Sequence, residues 1–171
     1  VLVEGDDPQE PIADTVRGLL DGHTWLSRKI AARGHYPAVD VLASLSRLMT
    51  DITERGHQDA AQGIRELLAA YRDHEDLISI GAYRRGANRT VDLAIELLDE
   101  INAYLRQRID ERVTANDASE RLIALYRKVQ ARQAALTAAG TINAGAGAAA
   151  VGGAATATAG TSANGPTVRK G

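Results

Sequence analysis

The sequence predicts an α/β segment followed by an all-helical segment and an Ala/Gly-rich tail. Short β-favouring runs alternate with short helical patterns over residues 1–52. Over residues 53–136 the apolar positions take helical spacing, and no proline occurs between positions 38 and 165. The last 34 residues hold 20 Ala or Gly and two charges, too few large side chains to offset the entropy of ordering, so we expect residues 137–171 to be disordered.

The first segment begins with an apolar run, residues 1–3, that predicts a buried strand ending in an acidic turn at Asp6 and Asp7. A short helix is expected over 13–20, a second strand over 23–27, and a helical turn over 28–32 closed by Gly34. Two short strands cannot form a parallel sheet buried on both faces, so further strands must complete it. Together with the start at Val1, this favours a fragment of a longer protein over a chain made as it stands.

The helical segment shows three apolar stripes. The first runs from Ala60 to Ile78 and is stopped by Gly81, and the second runs from Val91 to Leu105. Asp117 and Glu120 have the spacing of a capping box, which predicts Asp117 as the N-cap of a third helix. We therefore expect a helical bundle over this segment.

Composition excludes several classes of function. The net charge of −2 gives no basic footprint for nucleic acid, and there is no cysteine for a disulfide or thiolate site. The four histidines lack ligand spacing, so we predict no metal site, and the tail glycines lack the lysine of a phosphate-binding loop. No signal peptide or membrane span is predicted. The acidic run at 73–76 and the basic pair at 84–85 are interpreted as solvated surface.

Residues 34–47, GHYPAVDVLASLSR, combine a Tyr-Pro turn, small apolar residues and a single arginine. Pro37 prevents a helix at its start. Taken alone, Tyr36 is more commonly a core aromatic, and Arg47 is more commonly a surface charge.

A family resemblance gives these residues a different meaning. The segments VLVEGDDPQEPIADTVRGLLDGH, LSRKIAARGHYPAVDVLASLSRLM, DLISIGAYRRGANRTVD and YLRQRIDER resemble the C-terminal part of the flagellar export ATPase, a relative of the rotary ATP synthase catalytic subunit. The ATPases of injectisome type III secretion systems look nearly the same over about residues 1–130. The resemblance implies the C-terminal edge of a RecA-like P-loop NTPase core followed by a helical domain.

The resemblance also implies a nucleotide site between subunits of a homohexameric ring. Tyr36 and Pro37 match the wall of the subunit's own adenine pocket, where the tyrosine packs on the base. Tyr104 and Ile109 match positions that close its other side, although Ile109 departs from the aromatic residue of the rotary synthase. Arg47 matches the arginine finger that reaches the γ-phosphate in the neighbouring subunit, a role suited to a permanently charged, forked guanidinium.

The departures from the family limit what this chain is expected to do alone. The phosphate-binding loop, the catalytic glutamate and the metal-orienting acid of the family all precede the segment that opens this chain. We therefore expect ATP with Mg2+ as cofactor of the intact enzyme only, and neither hydrolysis nor a stable hexamer from this chain. Trp25 also replaces an expected aliphatic residue.

Two functions stay open at this point. The first is part of an ATPase that drives flagellar protein export, with an injectisome enzyme as the alternative. The second is a non-catalytic helical module that binds the export stalk or chaperone proteins. Implied partners are other copies of the ATPase, the stalk protein, a regulator and chaperone–cargo complexes. The implied location is the cytoplasm, in peripheral contact with the inner-membrane export apparatus.

Overall fold

The computed structural model describes residues 10–149, with side chains through residue 138. The strand predicted over residues 1–3 lies outside the described residues. Eight elements follow in order: α1 Pro11–Leu19, β1 Gly22–His23, α2 Arg28–Ala32, β2 Leu45–Ser46, α3 Met49–Ile52, α4 Arg55–Ser79, α5 Arg89–Leu105 and α6 Ala115–Ala149. Within the described range both strands precede residue 47 and only helices follow, which confirms the predicted change from α/β to α.

The small sheet pairs β1 with β2 antiparallel, with Gly22 opposite Ser46 and His23 opposite Leu45. Gly22 permits this pairing, because a Cβ there would lie 2.7 Å from the Leu45 carbonyl oxygen. The strand predicted over 23–27 is shorter than expected and begins one residue earlier. The chain beyond β1 makes an isolated antiparallel bridge, Leu26 to Val39, in place of a continuous ladder.

The three long helices share one apolar core. Each contributes one apolar face, which in α5 includes Leu93 and Leu97, and Gly81 has the left-handed φ of 70° just after α4. Ion pairs also join α6 to α5: Lys128 to Glu100 at 2.7 Å, and Arg132 to Glu96 at 2.6 Å. The buried residues of these helices are Ala60, Ile64, Leu67, Val91, Leu93, Ala94, Leu97, Ile101, Leu122, Leu125 and Val129.

Helix α6 differs from the expectation at its start. It begins at Ala115, and Thr114 rather than Asp117 occupies the cap. The Asp117 amide donates to the Thr114 hydroxyl at 3.1 Å, and that hydroxyl donates to the Asp117 carboxylate at 2.7 Å. Asp117 is therefore the third residue of the helix, and its carboxylate accepts a hydrogen bond from the capping threonine, Thr114.

Helix α6 also continues to Ala149, into the segment for which the composition predicted disorder. Alanine has the highest intrinsic helix propensity, so an Ala-rich stretch can continue a helix that a core already anchors. Residues 150–171 lie outside the described residues. Among the helices that are described, none is both long and apolar enough to cross a membrane.

Candidate functional site

The Tyr36–Pro37 turn lies in a loop that leaves the chain after Leu26 and returns to pair with it at Val39. Helix α2 ends at Ala32 with Arg33 as its C-cap, and Gly34 then takes a left-handed φ of 69° that redirects the chain. The Tyr36–Pro37 peptide bond is cis. After the turn the Ala38 carbonyl accepts a hydrogen bond from the Ser27 amide at 2.9 Å, which holds the two ends of this loop together. The Tyr36 side chain is left 58% exposed.

This turn is tied to the end of α5. The Gln107 amide donates to the Tyr36 carbonyl at 2.9 Å. Beside it, partial burial lowers the pKa of His35 below its ordinary value, the positive charge of Arg106 lowers that pKa further, and the backbone of Leu105 opposes both. The imidazole is therefore uncharged at neutral pH.

A cleft of about 530 Å³ lies between this turn, the end of α5 and the start of α6. Pro37 and Tyr104 both line it, together with Gln107. The Tyr104 hydroxyl donates to the Ala118 carbonyl at 3.2 Å. Burial raises the pKa of Tyr104, and the charge of Arg121 opposes this, so the phenol is protonated throughout the physiological range.

The structure brings some of the predicted pocket residues together but not all of them. Pro37 and Tyr104 share the cleft, and the Tyr36 backbone is bonded to the cleft-lining Gln107. Ile109 is fully exposed and does not line the cleft, since the chain turns outward after α5.

Arg47 lies at a different place, directly after β2. Its amide donates to the Asp21 carbonyl at 2.8 Å, so the β1–β2 pairing fixes its backbone. Its guanidinium makes one long hydrogen bond of 3.4 Å to the Gly18 carbonyl at the end of α1. The side chain is exposed, and no ion pair joins it to a carboxylate of residues 10–138. Its charge is therefore available to an anion from outside this part of the chain.

Side chains of helix α4 bind the stretch of chain that contains Tyr36 and leads to Arg47. These contacts are not predicted from the sequence. Arg72 pairs with Asp40 at 3.0 Å, and Arg65 donates to the Ser44 carbonyl at 3.2 Å. Glu75 pairs with Arg33 at 2.8 Å, just before the Tyr36 turn. These partners are 21 to 42 residues apart in the sequence, so no local pattern could reveal them.

Asp40 is the centre of this support. One of its carboxylate oxygens accepts from the amides of Leu42 and Ala43 at 3.0 and 3.1 Å, as well as from Arg72. Burial raises the pKa of Asp40, but the hydrogen bond from Arg72, the two amides and the Arg72 charge outweigh it, so the net pKa lies below its ordinary value. The carboxylate is ionised at neutral pH, and one of its oxygens accepts all three of these hydrogen bonds.

The described residues fit part of a nucleotide. The exposed ring of Tyr36 and the apolar side of the cleft suit a base, and the exposed guanidinium of Arg47 suits a phosphate. No group of three or more acidic or histidine ligands occurs among the described residues.

Two family profiles match the chain in consecutive order. The nucleotide-binding domain of the ATP synthase alpha/beta family matches residues 1–46. The C-terminal domain of the T3SS EscN ATPase matches residues 53–124. The border between the two matches falls at α3, close to the predicted boundary at 52/53.

Named relatives include enzymes from both flagella and injectisomes. The chain is 54% identical over 111 residues to the flagellum-specific ATP synthase of Bacillus subtilis, covering 65% of this chain and 25% of that protein. It is 50% identical over 125 residues to the type 3 secretion system ATPase of Pseudomonas syringae pv. syringae, covering 73% and 28%. The chain thus spans about a quarter of the length of the curated relatives it matches.

Solved structures agree with this assignment. The assembled ATPase EscN of the enteropathogenic E. coli type III secretion system matches with a TM-score of 0.69 and 35% identity, over 74% of this chain and 31% of that one. EscN in complex with its central stalk EscO matches with a TM-score of 0.64 and 34% identity, over 68% and 29%. The chain belongs to the ATP synthase alpha/beta family, and its helical part is the C-terminal domain of the type III secretion and flagellum-specific ATPases.

Proposed function

We propose that this chain is the C-terminal part of a subunit of a homohexameric ATPase that hydrolyses ATP with Mg2+ to drive flagellar protein export. The observation that carries the proposal is the exposure of Tyr36 and Arg47 at two separate places in a chain of this family. Two separate sites are what a nucleotide at a subunit interface requires. Tyr36 packs on the adenine of its own subunit, and Arg47 reaches the γ-phosphate bound by the neighbour.

The chemistry follows from the properties of these residues. In the intact enzyme the bound Mg2+ and ATP supply the reacting phosphoryl group. Pro37 and Tyr104 border the base from the cleft, and the Tyr36 ring offers a face that does not discriminate strongly among bases. Arg47 places a permanent positive charge beside phosphate oxygens whose negative charge grows in the transition state. The phosphate-binding loop belongs to a part of the family that this sequence does not contain.

A chimera provides the test. The full chain is placed in the Bacillus subtilis flagellum-specific ATP synthase in place of the matching end, and phosphate release is measured. We expect the chimera to hydrolyse ATP and Arg47→Ala to lower kcat on the order of 10³-fold. The isolated chain should release no phosphate above a no-enzyme blank. An active Arg47→Ala chimera, or hydrolysis by the isolated chain that Arg47→Ala abolishes, would contradict the proposal.

The proposal also assigns the enzyme to the flagellar rather than the injectisome export system. Identity to flagellar relatives is 54%, 46% and 43%, and identity to injectisome relatives is 49% to 53%, so identity alone does not separate the two systems. Complementation of a flagellar ATPase deletion by the chimera, scored as swimming, supports the flagellar assignment. Complementation of an injectisome ATPase deletion alone would replace it. In either system we place the enzyme in the cytoplasm, in peripheral contact with the membrane export gate and with chaperone–cargo complexes and a regulator.

The second candidate is a non-catalytic module that binds a stalk protein. It is favoured by the likeness to EscN in complex with its central stalk EscO, and by the match of residues 53–124 to the C-terminal domain of the T3SS EscN ATPase. Binding of the isolated chain to a stalk protein of the EscO type, measured by titration calorimetry, tests it. Binding together with an inactive chimera would favour this candidate over the enzyme.

A further inference from the structure

Helix α4 contacts residues 33–47 through three side chains on one of its faces. We call residues 33–47 the finger segment, because they end at Arg47, the proposed arginine finger. Arg65, Arg72 and Glu75 are seven and three residues apart, which places them on one side of a helix over about 15 Å of its length. Their partners are the Ser44 carbonyl, the Asp40 carboxylate and Arg33. The contacts therefore bracket the segment from the residue before Gly34 to the residue before β2.

The contacts nearest to Arg47 are the most restrictive. Asp40 joins the Arg72 guanidinium to the amides of Leu42 and Ala43 through a single oxygen, and the Asp40 side chain is only 15% exposed. The Asp40 carbonyl accepts from both the amide and the hydroxyl of Ser44, at 3.0 and 2.6 Å. The Ser44 carbonyl then accepts from Arg65. A shift of α4 therefore acts on residues 40–44, which are also bonded to Trp25 through the Asp40 amide and the Ser44 hydroxyl.

Arg47 lies three residues beyond Ser44, directly after β2, and its amide donates to the Asp21 carbonyl at 2.8 Å. Strand β2 is two residues long, and the Arg47 guanidinium has only its 3.4 Å bond to Gly18 to orient it within the described residues. Two-residue pairing alone gives little stability. The position of the Arg47 backbone therefore depends both on the short β1–β2 pairing and on how residues 40–44 are held.

We propose that Arg72, aided by Arg65, is a positioning residue for Arg47, and that the pair Asp40–Arg72 transmits movements of the helical domain to the finger. This inference rests on the proposed role of Arg47. Arg72 contacts no nucleotide in this arrangement. It acts by setting where the finger segment lies, so that a partner bound to the helical domain can change the hydrolysis rate of the neighbouring site.

The first arm of the test uses the full 171-residue chain and does not depend on the proposed function. Amide hydrogen exchange is compared between the wild type, Arg72→Ala and Arg72→Lys. We expect the amides of residues 42–47 to exchange about tenfold faster or more in Arg72→Ala, with partial recovery in Arg72→Lys. The matched control is Lys128→Ala, which removes one of the two α5–α6 ion pairs and should leave these amides unchanged. Unchanged exchange at 42–47 in Arg72→Ala would overturn the inference.

The second arm uses the chimera and separates positioning from general damage. Arg72→Ala should lower kcat about 10- to 100-fold while the KM for ATP stays within about twofold, because the finger acts on the transition state. In an Arg47→Ala background the same change should have no further effect. An equal loss in both backgrounds would overturn the inference. An inactive parent chimera would contradict the proposed function, and the exchange arm would still decide whether α4 positions the segment.

Discussion

At the scale of single residues, Tyr36 is informative because its ring is exposed while its backbone is fixed. The Gln107 amide holds its carbonyl, and Gly34 and Pro37 set the path of the chain on either side. More than half of the Tyr36 surface is exposed, so the ring has room to be covered further by a ligand. The arrangement is explained if the ring is covered by a planar ligand.

Replacement of Tyr36 tests that explanation. In the chimera, Tyr36→Ala should weaken ATP binding by about 1–3 kcal/mol, the value of stacking one base on an aromatic ring. Tyr36→Phe is the matched control and should bind ATP like the wild type, because stacking needs the ring and not the hydroxyl. Fluorescent-nucleotide titration measures both. Equal affinity in Tyr36→Ala and the wild type would contradict the assignment.

His35 gives the same turn a dependence on pH. Its folded pKa lies below the ordinary value of about 6.5, so the unfolded chain binds more protons as the pH falls through that value. The contribution of His35 to stability is therefore complete above about pH 6.5 and is lost on acidification. The difference in urea midpoint between the wild type and His35→Gln should shrink from pH 7.5 to pH 5.5. A difference that is constant over this range would show that His35 does not titrate abnormally.

At the scale of elements, the apolar periodicity predicts where the long helices lie, but the sequence spacing does not correctly predict which residue caps α6. Helices α4 and α5 lie where the apolar stripes predict them, because burial of one face dominates the stability of a long helix. The cap of α6 was misplaced at Asp117 because Thr114 and Asp117 form the same kind of box three residues earlier. Both spacings exist in the sequence, and only the packing of α6 selects between them.

Glycine in α4 provides an element-scale prediction. A methyl group at Gly63 would overlap the Tyr126 ring of α6, whereas one at Gly56 in the same helix meets nothing within 4 Å. Gly63→Ala should therefore destabilise the chain by about 1–3 kcal/mol despite the better helix propensity of alanine. Gly56→Ala, the control, should be neutral or slightly stabilising. Urea unfolding of both variants decides this, and a stabilised Gly63→Ala would show that the α4–α6 contact is absent in solution.

At the scale of the whole molecule, the sequence predicts the family but not the connections between its parts. The motif strings between residues 1 and 130 correspond to the two family profiles that match the chain. The link from α4 to the finger segment, through Arg72 and Asp40, joins residues 32 positions apart. Such a contact depends on how the helices pack, which local spacing does not encode.

The central claim is that Arg47 acts on the nucleotide of a neighbouring subunit. Its most direct test mixes two inactive chimeras, one with Arg47→Ala and one with alanine in place of the phosphate-loop lysine of the Bacillus subtilis portion. In a mixed ring, some interfaces pair an intact phosphate loop with an intact Arg47. We predict that mixing restores phosphate release to a substantial fraction of the parent rate. No recovery, in rings shown to contain both chains, would mean that Arg47 does not work across the interface.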